Sequence, residues 1–149
     1  MKIVVDSNVV FSAILNQSGK TGQLLIFSRR HFEFYAPNLL KAELKRHKDK
    51  ILEISGLSED EFENLREEVF ECINFVSEEQ IPYNFWHEAI PIVREVDMDD
   101  IAFVALSEYI DARLWTGDKR LLEGLKEKAN LRGVSTDELY QILIDIENQ

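Results

Sequence analysis

Apolar positions along this chain alternate between short β-branched runs and longer stretches spaced at three and four. Lys2-Ile3-Val4-Val5 ends abruptly in Asp6, as a strand buried in a parallel sheet does. Val9, Val10, Ala13 and Ile14 then recur at helical spacing, and Leu24, Leu25 and Phe27 follow beyond a Gly19-Lys20-Thr21-Gly22 break. Phe32 to Ala36 reads as an aromatic strand closed by Pro37, and a helix from Asn38 carries Leu39, Leu40, Ala42 and Leu44 until Gly56 ends it. Ser58 with Glu61 forms a capping box, opening a helix whose stripe is Phe62, Leu65, Val69 and Ile73. Tyr83 to Val96 and Asp99 to Ile110 predict two more helices. Arg113 to Thr116 predicts a strand, followed by Gly117-Asp118 and a helix from Lys119. Leu131 to Val134 predicts an edge strand before a capped helix from Ser135 or Thr136. Strands alternating with helices give an α/β protein with a mainly parallel sheet covered on both faces. No internal repeat or linker interrupts the 149 residues, so one domain over 1–149 is expected.

Composition narrows the class. Hydrophobic residues are 45% and charged residues 30%, the balance of a soluble globular chain. No apolar run is long enough to cross a bilayer, and the start turns acidic too soon for a signal peptide, so no membrane association and a cytoplasmic location are expected. The one cysteine, Cys72, has no partner at ligand spacing and reads as a buried helix position. The net charge of −11 argues against a nucleic-acid coat protein, which rests on a basic face. It leaves room for a nuclease, because acids that hold divalent ions present local positive potential to a phosphate. It equally suits a basic partner, or plain solubility.

Four acids occupy positions where parallel sheets build sites, the carboxyl ends of strands and the helix starts beyond them. Asp6 closes the first strand and Asp118 follows the strand at Leu114-Trp115-Thr116, while Asp100 lies at the start of one helix and Glu43 in the first turns of another. Carboxylates about 5 Å apart repel by roughly 3 kcal/mol at an effective dielectric of about 20, so convergence needs a cause such as a hard cation. Each acid also has a structural reading. Asp6 and either Asp99 or Asp100 stand where helix caps stand, Asp118 where a turn residue stands, and Glu43 among Lys41, Lys45 and Arg46 as an ion-pair partner.

The motifs around these acids resemble the PIN-domain family. Ile3-Val4-Val5-Asp6-Ser7-Asn8-Val9 looks like its opening strand, and Asn38 to Leu44 like its helix with the second acid. Asp97-Met98-Asp99-Asp100-Ile101-Ala102 and Leu114-Trp115-Thr116-Gly117-Asp118-Lys119 are similar to its third and fourth blocks. The blocks come in order and span most of the chain, and their grouping resembles the toxins of toxin–antitoxin pairs.

The resemblance implies a three-layer α/β/α fold and cleavage of single-stranded RNA with Mg²⁺ or Mn²⁺ held by Asp6, Glu43, Asp100 and Asp118. Asp6 would be the central ligand, and Glu43 and Asp100 would complete the first site and orient water. Asp118 would take a second ion or an outer water, and Ser7, Asn8 and Thr116 would be supporting hydrogen-bond partners. In the third block Asp100 is chosen because the apolar helix starts straight after it, with Asp97 in reserve. A basic antitoxin and a homodimer are the expected partners. An inactive PIN-fold module that binds RNA or protein is the alternative.

Other chemistry finds less support. His31, His47 and His87 are scattered, Gly19-Lys20-Thr21-Gly22 lacks P-loop spacing, and Trp115 reads as core. A phosphatase with an Asp nucleophile generally carries a second acid two residues on, and that position is Asn8. Lys20, Lys119 and Arg120 stand where phosphates could be met, though such residues are usually just solvated.

Overall fold

In a computed structural model, which describes residues 1–128 and 132–149, five parallel strands form the centre of the molecule. They are β1 (Lys2–Val5), β2 (Glu33–Pro37), β3 (Ile73–Val76), β4 (Arg113–Trp115) and β5 (Gly133–Val134), in spatial order β3-β2-β1-β4-β5. Ile3, Val4 and Val5 are wholly buried, because β1 has neighbours on both edges and helices on both faces. The chain steps outward from β1 to β3, then returns to the other side of β1 for β4 and β5. The order therefore reverses between β1 and β4, the crevice where open parallel sheets bind ligands.

Right-handed crossovers put the two halves' helices on opposite faces. One layer packs α1 (Ser7–Leu15), α2 (Lys20–Phe27) and α5 (Glu59–Glu71) together, with α9 (Thr136–Glu147) against α2. Two short helices, α3 (Leu39–Arg46) and α4 (Lys48–Ser55), lean on α1. The other layer is α6 (Tyr83–Val93), α7 (Ile101–Tyr109) and α8 (Lys119–Lys128), with α7 lying on β1, β2 and β4. Ala102 through Ser107 are all buried, as a helix between a sheet and a second helix must be. This is the expected three-layer α/β/α architecture. Among the described residues, no helix is long and apolar enough to cross a membrane.

Several boundaries differ from the sequence expectation, each for a local reason. The stripe Phe62-Leu65-Val69-Ile73 runs past the end of α5. Cys72 caps that helix, and Ile73 begins β3 by pairing with Phe34. The helix expected from Asn38 to Gly56 breaks at His47, which ends α3, begins α4 and packs edge-on to Phe11 with centroids 5.4 Å apart. Gly56 then closes α4 at φ 73, the left-handed conformation that favours glycine. Gly19-Lys20-Thr21-Gly22 is no break, since Gly19 is the N-cap of α2 and the other three residues are its first turn. The helix expected to Val96 stops at Val93, and Asp97 opens a 3-10 turn over Met98–Asp100 before α7. Of the edge strand expected from Leu131, Gly133 and Val134 are paired with β4, while Leu131 lies outside the described residues.

A candidate acidic centre at the sheet's switch point

Asp6 leaves β1 at the reversal point and caps α1, with its Oδ1 accepting from the Ser7 amide at 2.8 Å. Its backbone N–H still belongs to the sheet, donating to the Trp115 carbonyl at 3.0 Å. Thr116, buried just beyond β4, donates from Oγ1 to Asp6 Oδ2 at 2.6 Å and accepts from the Asp118 amide at 3.1 Å. Asn8 bridges the two loops. Its Nδ2 lies 3.3 Å from both Asp6 Oδ2 and Thr116 Oγ1, and its Oδ1 accepts from Gly117 N at 3.2 Å. Ser7 serves through its backbone amide, while Asn8 and Thr116 serve through their side chains. The ends of β1 and β4 are thereby locked together around one carboxylate.

The other acids arrive on helices or at their caps. Asp118 Oδ1 accepts from the amides of Arg120 at 2.9 Å and Leu121 at 3.3 Å, so it caps α8. Glu43 is buried on α3, and Asp100 is half-buried just before α7. Asp97 is exposed, and its Oδ1 accepts from Asp99 N at 2.9 Å, which makes it the cap of the 3-10 turn. Asp99 is exposed as well. Among the described residues, the Glu43 and Asp100 carboxyls accept no hydrogen bond and form no ion pair.

Electrostatics joins the four. Burial pushes the Asp6 carboxyl up from 3.8 to about 6, against the lowering pull of Thr116 and Ser7 and with the added push of Glu43 and Asp118. Burial raises Asp100 to about 7, helped by the charges of Asp6, Asp97, Asp118 and Glu43. No ammonium or guanidinium figures among the causes at either group. Four acids without a counter-cation fit a hard divalent ion in donor chemistry, since all offer oxygen and no thiol or imidazole stands among them. As the side chains lie, though, no group of three or more His, Cys, Asp or Glu among the described residues is arranged to hold a metal ion. The cluster is a set of coupled neighbours, not a closed cage.

Sequence reasoning overlooked Glu78. Its Oε1 accepts from the Leu39 amide at 2.5 Å and so ties down the first turn of α3, which carries Glu43. Asn38, the N-cap by position, makes no side-chain bond there. Nothing local signals a cap that reaches across 39 residues. A cavity of about 570 Å³ lined by His87, Arg94, Glu108, Lys128 and Arg132 includes none of the four acids.

Fold and site thus define an α/β protein with carboxylates gathered where its sheet reverses. The chain belongs to the PIN-domain family, whose model matches residues 4–143, and PIN domains are generally nucleases. The crystal structure of VapBC2 from Rickettsia felis bound to a DNA fragment from their promoter is similar, with a TM-score of 0.67 at 12% identity over 91% of this chain and 98% of that one. The crystal structure of PAE2754 from Pyrobaculum aerophilum is similar with a TM-score of 0.67 at 13% identity, over 100% of this chain and 91% of that one. At such identities the likeness speaks to the fold alone. Among curated proteins, none matches this chain.

Proposed function

We propose that this chain is a divalent-metal-dependent endoribonuclease that cleaves single-stranded RNA and acts as the toxin of a toxin–antitoxin pair. One observation carries the reading: Asp6 is 1% exposed at the sheet's reversal point, with three acidic neighbours and no cation offsetting it. Asp6, Glu43, Asp100 and Asp118 are the groups that would hold Mg²⁺ or Mn²⁺. One or two such ions, when bound, lower the pKa of water and stabilise charge developing on a phosphodiester. Ser7 N and Thr116 Oγ1 orient the Asp6 carboxylate before substrate arrives. Asp118 spends one oxygen on α8 and keeps the other for an ion or its water. Asp100 and Glu43, which accept no hydrogen bond among the described residues, would orient the attacking water.

The partner assignment rests on less. The shared fold includes a protein solved as VapBC2 on promoter DNA, and a net charge of −11 suits a basic antitoxin. A homodimer is the proposed oligomeric state. A second reading, an inactive module that binds RNA or protein, draws on the absence of a preformed metal cage among the described residues. Incubating labelled single-stranded RNA with the purified protein separates the two. The nuclease reading expects fragments with Mn²⁺ or Mg²⁺ and none with EDTA, whereas intact RNA under every metal condition supports the binding module.

A further inference from the structure

Beside the acidic centre a groove of about 400 Å³ opens between α1, α2 and α9, lined by Asn8, Ser12, Thr21, Gly117, Asp118 and Thr136 among others. That volume lies in the range of roughly 300–1,000 Å³ common for ligand sites. Its chemistry differs from that of the acids it adjoins, because three of these residues carry hydroxyls. The Thr21 and Thr136 Oγ1 atoms stand 3.5 Å apart. Thr136 Oγ1 accepts from the Trp115 indole Nε1 at 3.0 Å, which leaves its own proton to donate. One turn further along α9, Tyr140 is 41% exposed, and Lys20 Nζ lies 4.9 Å from its ring centroid. Lys20 also pairs with Asp137 at 2.9 Å, an exposed contact of the kind that stabilises little and exchanges readily.

Glycines set this arrangement. A Cβ on Gly22 would stand 2.8 Å from the Gln17 carbonyl and 3.1 Å from that of Asn16. Only a residue without a side chain lets α2 start so close to that turn, and this start brings Thr21 to the groove, with Lys20 beside Tyr140 on α9. The Gly19-Lys20-Thr21-Gly22 segment has no part in the acidic cluster, so its placement needs another account.

We infer that the groove is a subsite for one nucleotide of single-stranded RNA next to the scissile phosphate. The inference rests on the nuclease reading, since Asp118 forms a wall common to the groove and the acidic centre. The Thr21 and Thr136 hydroxyls hydrogen-bond the ribose, whose 2′-OH both donates and accepts. Lys20 exchanges Asp137 for the next phosphate, and the Tyr140 ring stacks on the base. On a chain of net charge −11, hydroxyls lining a groove, with a Lys20–Tyr140 pair on the helices that flank it, suit a nucleotide better than a basic peptide.

The test separates binding from cleavage. Anisotropy of labelled single-stranded RNA, read in EDTA, is compared with that of the deoxy strand of the same sequence. Tyr140→Ala and Lys20→Ala are expected to weaken RNA binding roughly ten-fold each. Thr21→Val is expected to remove the preference for RNA over DNA, while Tyr140→Phe and Thr21→Ser bind as the native chain does. With Mn²⁺ the groove variants should raise KM and leave kcat unchanged. Native binding and native KM in all three disruptive variants would overturn the subsite, even if Asp6→Asn abolishes cleavage. Should the native chain fail to cleave RNA while Tyr140→Ala and Lys20→Ala lose RNA binding, the groove binds a nucleotide but the nuclease reading falls, and with it the placement beside a scissile phosphate. A Thr21→Val loss equal for RNA and DNA would overturn the ribose contact.

Discussion

Thr116 and Asp6 are joined by a hydrogen bond of 2.6 Å from Oγ1 to Oδ2, which fastens the end of β4 to the end of β1. The same oxygen accepts from Asp118 N, so one hydroxyl serves two of the four acids. Thr116→Val keeps the shape and removes both bonds, together with the one that Asn8 Nδ2 donates to Oγ1 at 3.3 Å. The expected cost is about 1–3 kcal/mol in a urea melt, the range for a hydrogen bond to a charged group or a stranded buried amide. Losing the donor that lowers Asp6 should also shift the acid limb of the cleavage profile upward in pH. Thr116→Ser should restore both readouts.

Stability should depend on pH in a direction set by the raised carboxyls. Asp6, at about 6 in the folded chain against 3.8, holds its proton more tightly folded than unfolded. Its contribution to stability is therefore full below about pH 3.8 and lost as pH rises through about 6. Asp100 extends the loss through about pH 7. Asp6→Asn removes the penalty, so in EDTA at pH 7.5 it should melt above the native chain, by roughly 1–3 kcal/mol, with the gap closing near pH 4. Equal melting at both pH values would mean that Asp6 does not bear the penalty its burial implies.

Divalent ions should reverse that penalty. An ion bound only by the folded chain stabilises by mass action, about 2.7 kcal/mol at a hundred times its Kd. Thermal melting at pH 7.5 should rise with Mn²⁺ in the native chain and hardly at all in Asp6→Asn. Parallel rises in the two proteins would place the ion elsewhere.

Much of this was legible in the sequence, and what was hidden shares a cause. Ile3-Val4-Val5-Asp6 gave away its strand and its acid because a buried parallel strand is short, β-branched and ends at the site. The capping boxes at Ser58 and Ser135 were equally local, and the second settles the start of α9 at Thr136. By contrast β3 lay hidden because Ile73 continues the helical spacing of Val69, and only its pairing with Phe34 makes it a strand. Glu78 reaches Leu39, and Thr21 meets Thr136, across the fold, where spacing along the chain carries no signal. Spacing could not separate Asp97, Asp99 and Asp100 within their acidic run; in the fold Asp97 is exposed and tied to the Asp99 amide, while Asp100 is half-buried.

That last contrast makes a prediction of its own. Asp100→Asn should abolish cleavage with little loss of stability, because its carboxyl makes no hydrogen bond among the described residues. Asp97→Asn should leave most of the activity and cost roughly 0.5–1 kcal/mol at most, since Asn caps nearly as well as Asp. The opposite order in a side-by-side assay would move the third acid to Asp97.

The most direct test of the acidic centre is Mn²⁺-dependent cleavage of single-stranded RNA by the native chain, Asp118→Asn and Asp6→Asn, each shown folded by its melt. Asp6 is the most buried of the four acids and touches both loops, whereas Asp118 already spends one oxygen on α8. Cleavage should be lost with Asp6→Asn, reduced but measurable with Asp118→Asn, and absent from the native chain in EDTA. Undiminished cleavage by Asp6→Asn, or native cleavage that persists in EDTA, would contradict the assignment.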